Sequence, residues 1–203
     1  MENAPIVHLV DDDGDVLKAV GRLLMAAGHA CRIYPTAEDF LATHDPDRPG
    51  CAIIDLGLPG LDGFCIQERL LASGTGSPVI FLTGIGDIPA SVRAMKAGAV
   101  DFLTKPVEAE DLLAAVEEAL NRDVAFRAAR SDRDSLQRRL TSLTPREREV
   151  LDLVVMGRLN KQIAADIGAA EKTVKVHRGR MMRKMGVRTV ADLVRLVSGD
   201  RLP

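Results

Sequence analysis

The 203-residue sequence contains no tryptophan, one tyrosine and five phenylalanines, so aromatic residues make up only 3% of it. Few rings argue against a single-strand nucleic-acid binder built on stacking platforms. Three cysteines, Cys31, Cys51 and Cys65, are an odd number without CxxC spacing, which excludes a disulfide-stapled scaffold. They read as buried small hydrophobes rather than as bridges or metal ligands. No apolar run approaches membrane-spanning length, and the opening MENAPIVHLVDDD lacks the basic start and apolar core of a secretory signal. The expectation is a cytoplasmic protein with no membrane association.

With 46% hydrophobic and 28% charged residues, the composition is that of a folded chain long enough for one large or two small domains. Its net charge of -2 conceals an asymmetry. Residues 1–125 hold 9 Lys+Arg against 20 Asp+Glu, net -11, and residues 126–203 hold 18 against 9, net +9. A basic block after an acidic one points to a module facing a polyanion. The basic part has one aromatic, Phe126, so double-stranded DNA is the better expectation.

Short apolar runs at 6–10, 31–34, 51–55, 78–82 and 101–103 alternate with helical patterns, which predicts β/α units on a parallel sheet. From Val107 to Thr144 there is neither glycine nor proline, and Leu112, Val116, Leu120 and Val124 recur every four residues. One long helix is therefore expected to leave the first domain and continue through the charged stretch 127–139. Beyond it the pattern is helical only. Thr144, Pro145 and Glu147 make a capping box, Gly157 closes that helix and Asn160 is placed to cap the next. After the turn Gly168-Ala169-Ala170 a third helix runs 171–185, completing a helix-turn-helix. A fourth carries Val190, Leu193, Val194 and Val197 on one face.

Asp11, Asp12 and Asp13 follow the first strand, Asp55 ends the third, Thr83 follows the fourth and Lys105 comes just after the fifth. Strand ends of a parallel sheet collect in one crevice at the carboxyl edge, where ligands bind. Carboxylates gathered there repel one another unless a cation joins them, and hard oxygens with room for water favour Mg²⁺. Asp55 is then placed to attack a phosphoryl group, with Lys105 pairing its oxygens and Thr83 donating a hydrogen bond. Taken singly, each residue has a plainer role: Asp13 as a helix cap, Asp55 as a turn residue before Leu56-Gly57-Leu58-Pro59-Gly60, Thr83 as a loop start and Lys105 as a solvated charge. Their joint placement at strand ends favours the pocket. A haloacid-dehalogenase-type phosphatase would use Asp11, Asp13, Thr83 and Lys105, but it needs a late acidic pair after another strand and assigns nothing to Asp55.

Several of these segments form an ordered set. Val10-Asp11-Asp12-Asp13, Asp55-Leu56-Gly57-Leu58-Pro59 with Gly63, Thr83-Gly84, Ala97-Gly98-Ala99 and Lys105-Pro106 resemble the receiver domain of bacterial response regulators. Residues 143–197 resemble the LuxR-type helix-turn-helix. The order of the two is that of the NarL/FixJ family, nearer FixJ through Gly86-Asp87-Ile88-Pro89 and Met95-Lys96-Ala97-Gly98-Ala99. The resemblance implies a receiver of five parallel strands at 1–123, doubly wound and flavodoxin-like, a helical linker at 124–142 and a four-helix DNA-binding domain at 143–203. It implies that a sensor histidine kinase phosphorylates Asp55, that Asp12, Asp55 and the Gly57 carbonyl hold Mg²⁺ with Asp11 assisting through water, and that Thr83, Phe102 and Lys105 bind the phosphoryl group and switch. Composition alone would place Phe102 in the core. A cis Lys105-Pro106 bond, a homodimer formed on phosphorylation and contact with RNA polymerase follow from the same likeness, and no enzymatic turnover does.

On a helical wheel Lys172, Lys175, Val176, Gly179 and Arg183 fall along one stripe, while Val174, His177, Met181 and Met185 form the core face. In the family resembled, Lys175 and Val176 stand at base-reading positions, whereas Lys161, Thr173 and Arg178 stand at phosphate contacts. Two departures weaken the match. Ala170 replaces a capping serine, and Gly179 adds no contact where the family often has a longer side chain.

Overall fold

In the computed structural model, which describes residues 4–74, 76–84 and 88–199, the chain divides into two compact units, 1–127 and 128–203. Five five- or four-residue strands, β1 (Ile6–Val10), β2 (Ala30–Tyr34), β3 (Gly50–Ile54), β4 (Val79–Thr83) and β5 (Asp101–Thr104), form one parallel sheet in the order β2-β1-β3-β4-β5. The reversal of order at β1 and β3 opens a crevice at their carboxyl ends. Central strands β1, β3 and β4 are buried along their whole length, which is why they read as unbroken apolar runs rather than alternating ones.

Helices α1 (Gly14–Ala26) and α5 (Ala109–Thr141) cover one face through Leu17, Leu24, Leu112 and Val116 packed on Val7, Leu9, Ile53 and Ile80. Helices α2 (Ala37–Thr43), α3 (Gly63–Ala72) and α4 (Ile88–Lys96) cover the other through Phe40, Ile66, Leu70 and Ala94 against Val10, Ile54 and Phe81. Gly50 opens β3 because a Cβ there would drive into the Ile6 carbonyl of the adjoining strand. Gly86 and Asp87, part of the FixJ-like motif, lie outside the described residues.

Helix α5 contributes residues to both units. Its expected four-residue stripe is corrected at Val124, which is 65% exposed. Steps of four on a helix of 3.6 residues per turn drift by about 40° each, so three steps carry the stripe off the core. The buried row is Leu112, Ala115, Val116, Ala119 and then Asp123.

The second unit packs α6 (Pro145–Val155), α7 (Asn160–Asp166), α8 (Glu171–Met185) and α9 (Val190–Ser198) around Leu136, Val150, Leu151, Ile163, Val174, Met181, Met185 and Leu193. The α6 capping box forms as expected, with Thr144 N–H donating to Glu147 Oε2 at 2.9 Å and Glu147 N–H to Thr144 Oγ1 at 3.3 Å. Asn160 is not the cap of α7. The helix begins there after Leu159, whose N–H donates to Gln162 Oε1, and the Asn160 side chain is engaged elsewhere. On α9, Leu196 joins Val190, Leu193 and Val197 against the core where Val194 was expected.

Candidate functional site

Backbone register past the strand ends builds the pocket. Asp11 N–H donates to the Tyr34 carbonyl at 3.1 Å, Asp55 N–H to Val10 at 2.9 Å and Lys105 N–H to Thr83 at 2.9 Å, so the sheet pairing extends one residue beyond β1, β3 and β5. Asp55 thus stands just after β3, and Thr83 is the last residue of β4, each one position from its expected place. Gly63 opens α3 beside this edge, where a Cβ would lie 2.6 Å from the Asp55 carbonyl oxygen.

Three carboxylates converge here. Asp11, Asp12 and Asp55 offer oxygens that all lie within 4.8 Å of one another, Asp11 and Asp55 buried and Asp12 exposed. Lys105 Nζ stands 2.6 Å from Asp11 Oδ2 and 3.4 Å from Asp55 Oδ2. Asp55 Oδ1 is buried without a hydrogen-bond partner, an unusual state for a carboxylate oxygen and one that a bound cation would relieve. Burial pushes the Asp11 carboxyl up, against the hydrogen bonds from Lys105 and the Asp13 backbone. Burial pulls the Lys105 ammonium down, but the hydrogen bond and charge of Asp11, with the charge of Asp55, raise it overall. The donor set is all hard oxygen, as Mg²⁺ prefers, and Gly57 lies in the exposed loop two residues beyond Asp55.

Asp13 belongs to the helix rather than to the pocket. Its Oδ1 accepts from Asp15 N–H at 2.8 Å and Val16 N–H at 3.3 Å, capping α1, which removes the second aspartate the phosphatase alternative requires. Thr83 is fully buried at the pocket edge, and Phe102 on β5 is half-buried with its ring 6.3 Å from that of Phe81. The Lys105-Pro106 bond is cis.

In the second unit the cationic stripe of α8 is exposed on the face the helical wheel gave it. Lys172, Thr173, Lys175, Gly179 and Arg183 on α8 are exposed, Val176 is 48% exposed, Lys161 on α7 is exposed, and Val174, Met181 and Met185 are buried. His177 is half-buried on the core side. Arg178 is partly committed: its Nη1 donates to Asn160 Oδ1 at 2.7 Å, tying α8 to the start of α7. No side chain caps α8 at Ala170, and a Cβ at Gly179 would meet nothing within 4 Å. Sequence reasoning missed the Glu147–Lys184 pair, 2.6 Å between Oε2 and Nζ, because the partners are 37 residues apart. The hydrogen bond from Lys184 and that from the Thr144 backbone pull the Glu147 carboxyl down to about 2.

Residues 7–117 match the family described as response regulator receiver domain, and residues 141–197 match the bacterial regulatory proteins of the luxR family. Joined to an acidic crevice on a five-stranded parallel sheet and a basic helix-turn-helix, these matches define a two-component response regulator with a LuxR-type DNA-binding domain. Among similar proteins, nodulation protein W of Bradyrhizobium diazoefficiens is 42% identical over 191 residues, 94% of this chain and 84% of that protein. The transcriptional regulatory protein FixJ of Rhizobium meliloti is 40% identical over 190 residues, 94% of this chain and 93% of FixJ. The solved structure of the response regulator StyR superposes with a TM-score of 0.89 at 45% identity, covering 97% of this chain and 99% of StyR. The chain belongs to the NarL/FixJ family of response regulators. Among the described residues no helix is long and apolar enough to cross a membrane.

Proposed function

We propose that Asp55 accepts a phosphoryl group from a partner histidine kinase and that this modification promotes dimerisation and sequence-specific binding to DNA, so regulating transcription. The observation that carries this reading is the Lys105 ammonium spanning Asp11 and Asp55 beside a buried, partnerless Asp55 oxygen. An oxygen of Asp55 attacks phosphorus, the P–N bond to the kinase histidine breaks, and the imidazole takes its electron pair. Asp12, Asp55 and the Gly57 carbonyl are the groups that would hold Mg²⁺, with Asp11 assisting through water. When bound, the ion supplies positive charge against the phosphoryl oxygens. Lys105 then exchanges carboxylate partners for a phosphoryl oxygen, Thr83 turns its hydroxyl towards that group, and Phe102 moves with it.

Phosphorylation shifts the protein only in so far as the phosphoryl group interacts better with the dimer-competent state. On DNA, Lys175 and Val176 read base edges with Lys172 and Arg183 on the same stripe, while Lys161, Thr173 and Arg178 meet phosphates. RNA polymerase is the downstream partner that a transcriptional role implies.

Intact mass and light scattering after incubation with a small phosphodonor and Mg²⁺ test this. Wild type is expected to gain a single phosphoryl adduct and to dimerise, and Asp55→Asn to do neither. An adduct on Asp55→Asn, or none on wild type where a control receiver is modified, removes Asp55 as acceptor. Operator binding by Asp55→Asn as tight as that of phosphorylated wild type removes the coupling.

A further inference from the structure

Strand β2 is an edge of the sheet and pairs, among the described residues, with β1 alone. Its other side carries the backbone groups on which a further strand could form. Next to that edge, α1 and β2 frame a groove of about 300 Å³. Its apolar lining is Leu17, Gly21, Met25, Cys31 and Ile33. Gly21 leaves part of the groove open: a Cβ there would come into van der Waals contact with Ile33 Cγ2 at 3.6 Å. Met25 is 59% and Ile33 53% exposed, two apolar side chains left facing water at one place.

The charge around this groove is opposite to that of the rest of the unit. Of the 9 Lys+Arg in residues 1–125, Lys18 and Arg22 line the groove and Arg32 is exposed on the strand itself. Lys18 lies 3.2 Å from Asp15, but both side chains are well exposed and such pairs hold weakly. A second copy of the chain is a poor occupant. Antiparallel pairing of two β2 strands about their centre sets Arg32 opposite Arg32, and like charges directly across a ladder are unfavourable. An acidic strand meets Lys18 and Arg22 from the groove face and Arg32 from the opposite face of β2, and no such penalty.

We propose that the β2 edge and the α1–β2 groove form a docking site for an extended acidic segment of another protein, which adds a strand beside β2 and seats an apolar side chain between Met25 and Ile33. Main-chain hydrogen bonds to the edge supply affinity, and the cations with the apolar groove supply selectivity.

The test uses the full chain, ¹⁵N-labelled, titrated with a short synthetic peptide alternating valine and glutamate and, separately, with its valine–lysine counterpart. The acidic peptide is expected to give saturable amide shifts confined to residues 30–34 and the facing side of α1, and the basic peptide none. Arg32→Glu should weaken the acidic peptide by about tenfold or more. Ile33→Glu should do likewise, and both variants are expected to keep a dispersed spectrum because the two side chains point into water. Absence of saturable shifts in wild type, or equal binding of the two peptides, overturns the proposal. So does self-association seen by light scattering that Ile33→Glu abolishes, which would give the groove to a second copy.

Discussion

His8 sits on β1, 5% exposed, three residues before the acidic pocket. Its Nδ1 lies 3.1 Å from the Tyr34 hydroxyl, and its ring is 5.5 Å from that of Phe40 and 5.4 Å from that of His44. Burial, then the charges of His44, Arg32 and Arg48, lower its pKa from 6.5 to about 4. The folded state therefore binds this proton less readily than the unfolded one, so the contribution is whole above pH 6.5 and declines as pH falls from 6.5 towards about 4. Urea unfolding across that window should show the decline in wild type and a flatter profile in His8→Phe; parallel profiles would remove His8 as the cause. Gly179 makes the opposite kind of prediction. A helical glycine in an exposed interior costs about 1 kcal/mol against alanine, and the space for a Cβ is open, so Gly179→Ala should raise the melting temperature by several degrees. An unchanged or lowered melting temperature would mean that the free helix has another use for glycine.

Helices are joined here by polar contacts that their own periodicity does not announce. Lys184 on α8 donates to Glu147 Oε2 at 2.6 Å and to the Ser142 carbonyl at 2.8 Å, fastening α8 to the start of α6. Because the Glu147 carboxyl is held down at about 2, from 4.5, its stabilisation is present above pH 4.5 and is lost as pH falls towards 2. Lys184→Met should lower thermal stability at neutral pH and reduce that acid dependence, the Thr144 bonds to Glu147 keeping the rest; a variant as acid-sensitive as wild type would show that the loss comes from other carboxylates. Helix α5 has a comparable clamp. Asp123, 1% exposed, accepts from Gly50 N–H at 3.0 Å and from Arg127 Nε at 2.8 Å, while the Arg127 Nη groups reach the carbonyls of Pro46, Asp47 and Arg48. The ties from Asp123 to Gly50 and from Arg127 to residues 46–48 span 73 to 81 residues of sequence, beyond the reach of helical periodicity.

Over the whole molecule, charge separates the tasks, -11 in residues 1–125 and +9 in residues 126–203. If the exposed cations of α7 and α8 meet phosphates, affinity for a duplex should fall linearly with salt on logarithmic axes. Lys161→Ala and Arg178→Ala should each reduce that slope by about 1 while weakening all sequences alike, whereas Lys175→Ala should weaken the preferred sequence most. A slope untouched by either of the first two substitutions would move the phosphate contacts elsewhere.

Local chemistry sufficed for much of this protein. Unbroken apolar runs announced buried parallel strands, Thr144-Pro145 with Glu147 announced the start of α6, and Gly157 marked its end, because caps, turns and periodicity act within a few residues. Aspartates at strand ends could be assigned to one crevice because parallel topology leaves them no other place. What folding alone arranged was which polar atoms meet. It decided that Lys105 reaches Asp11 more closely than Asp55 and that Asn160 serves Arg178 rather than its own helix. The same holds for the Glu147–Lys184 pair and for the α1–β2 groove beside an edge strand. Such pairings depend on ångström-scale distances between residues far apart in the chain, and periodicity places a side chain on a face without naming what it meets there.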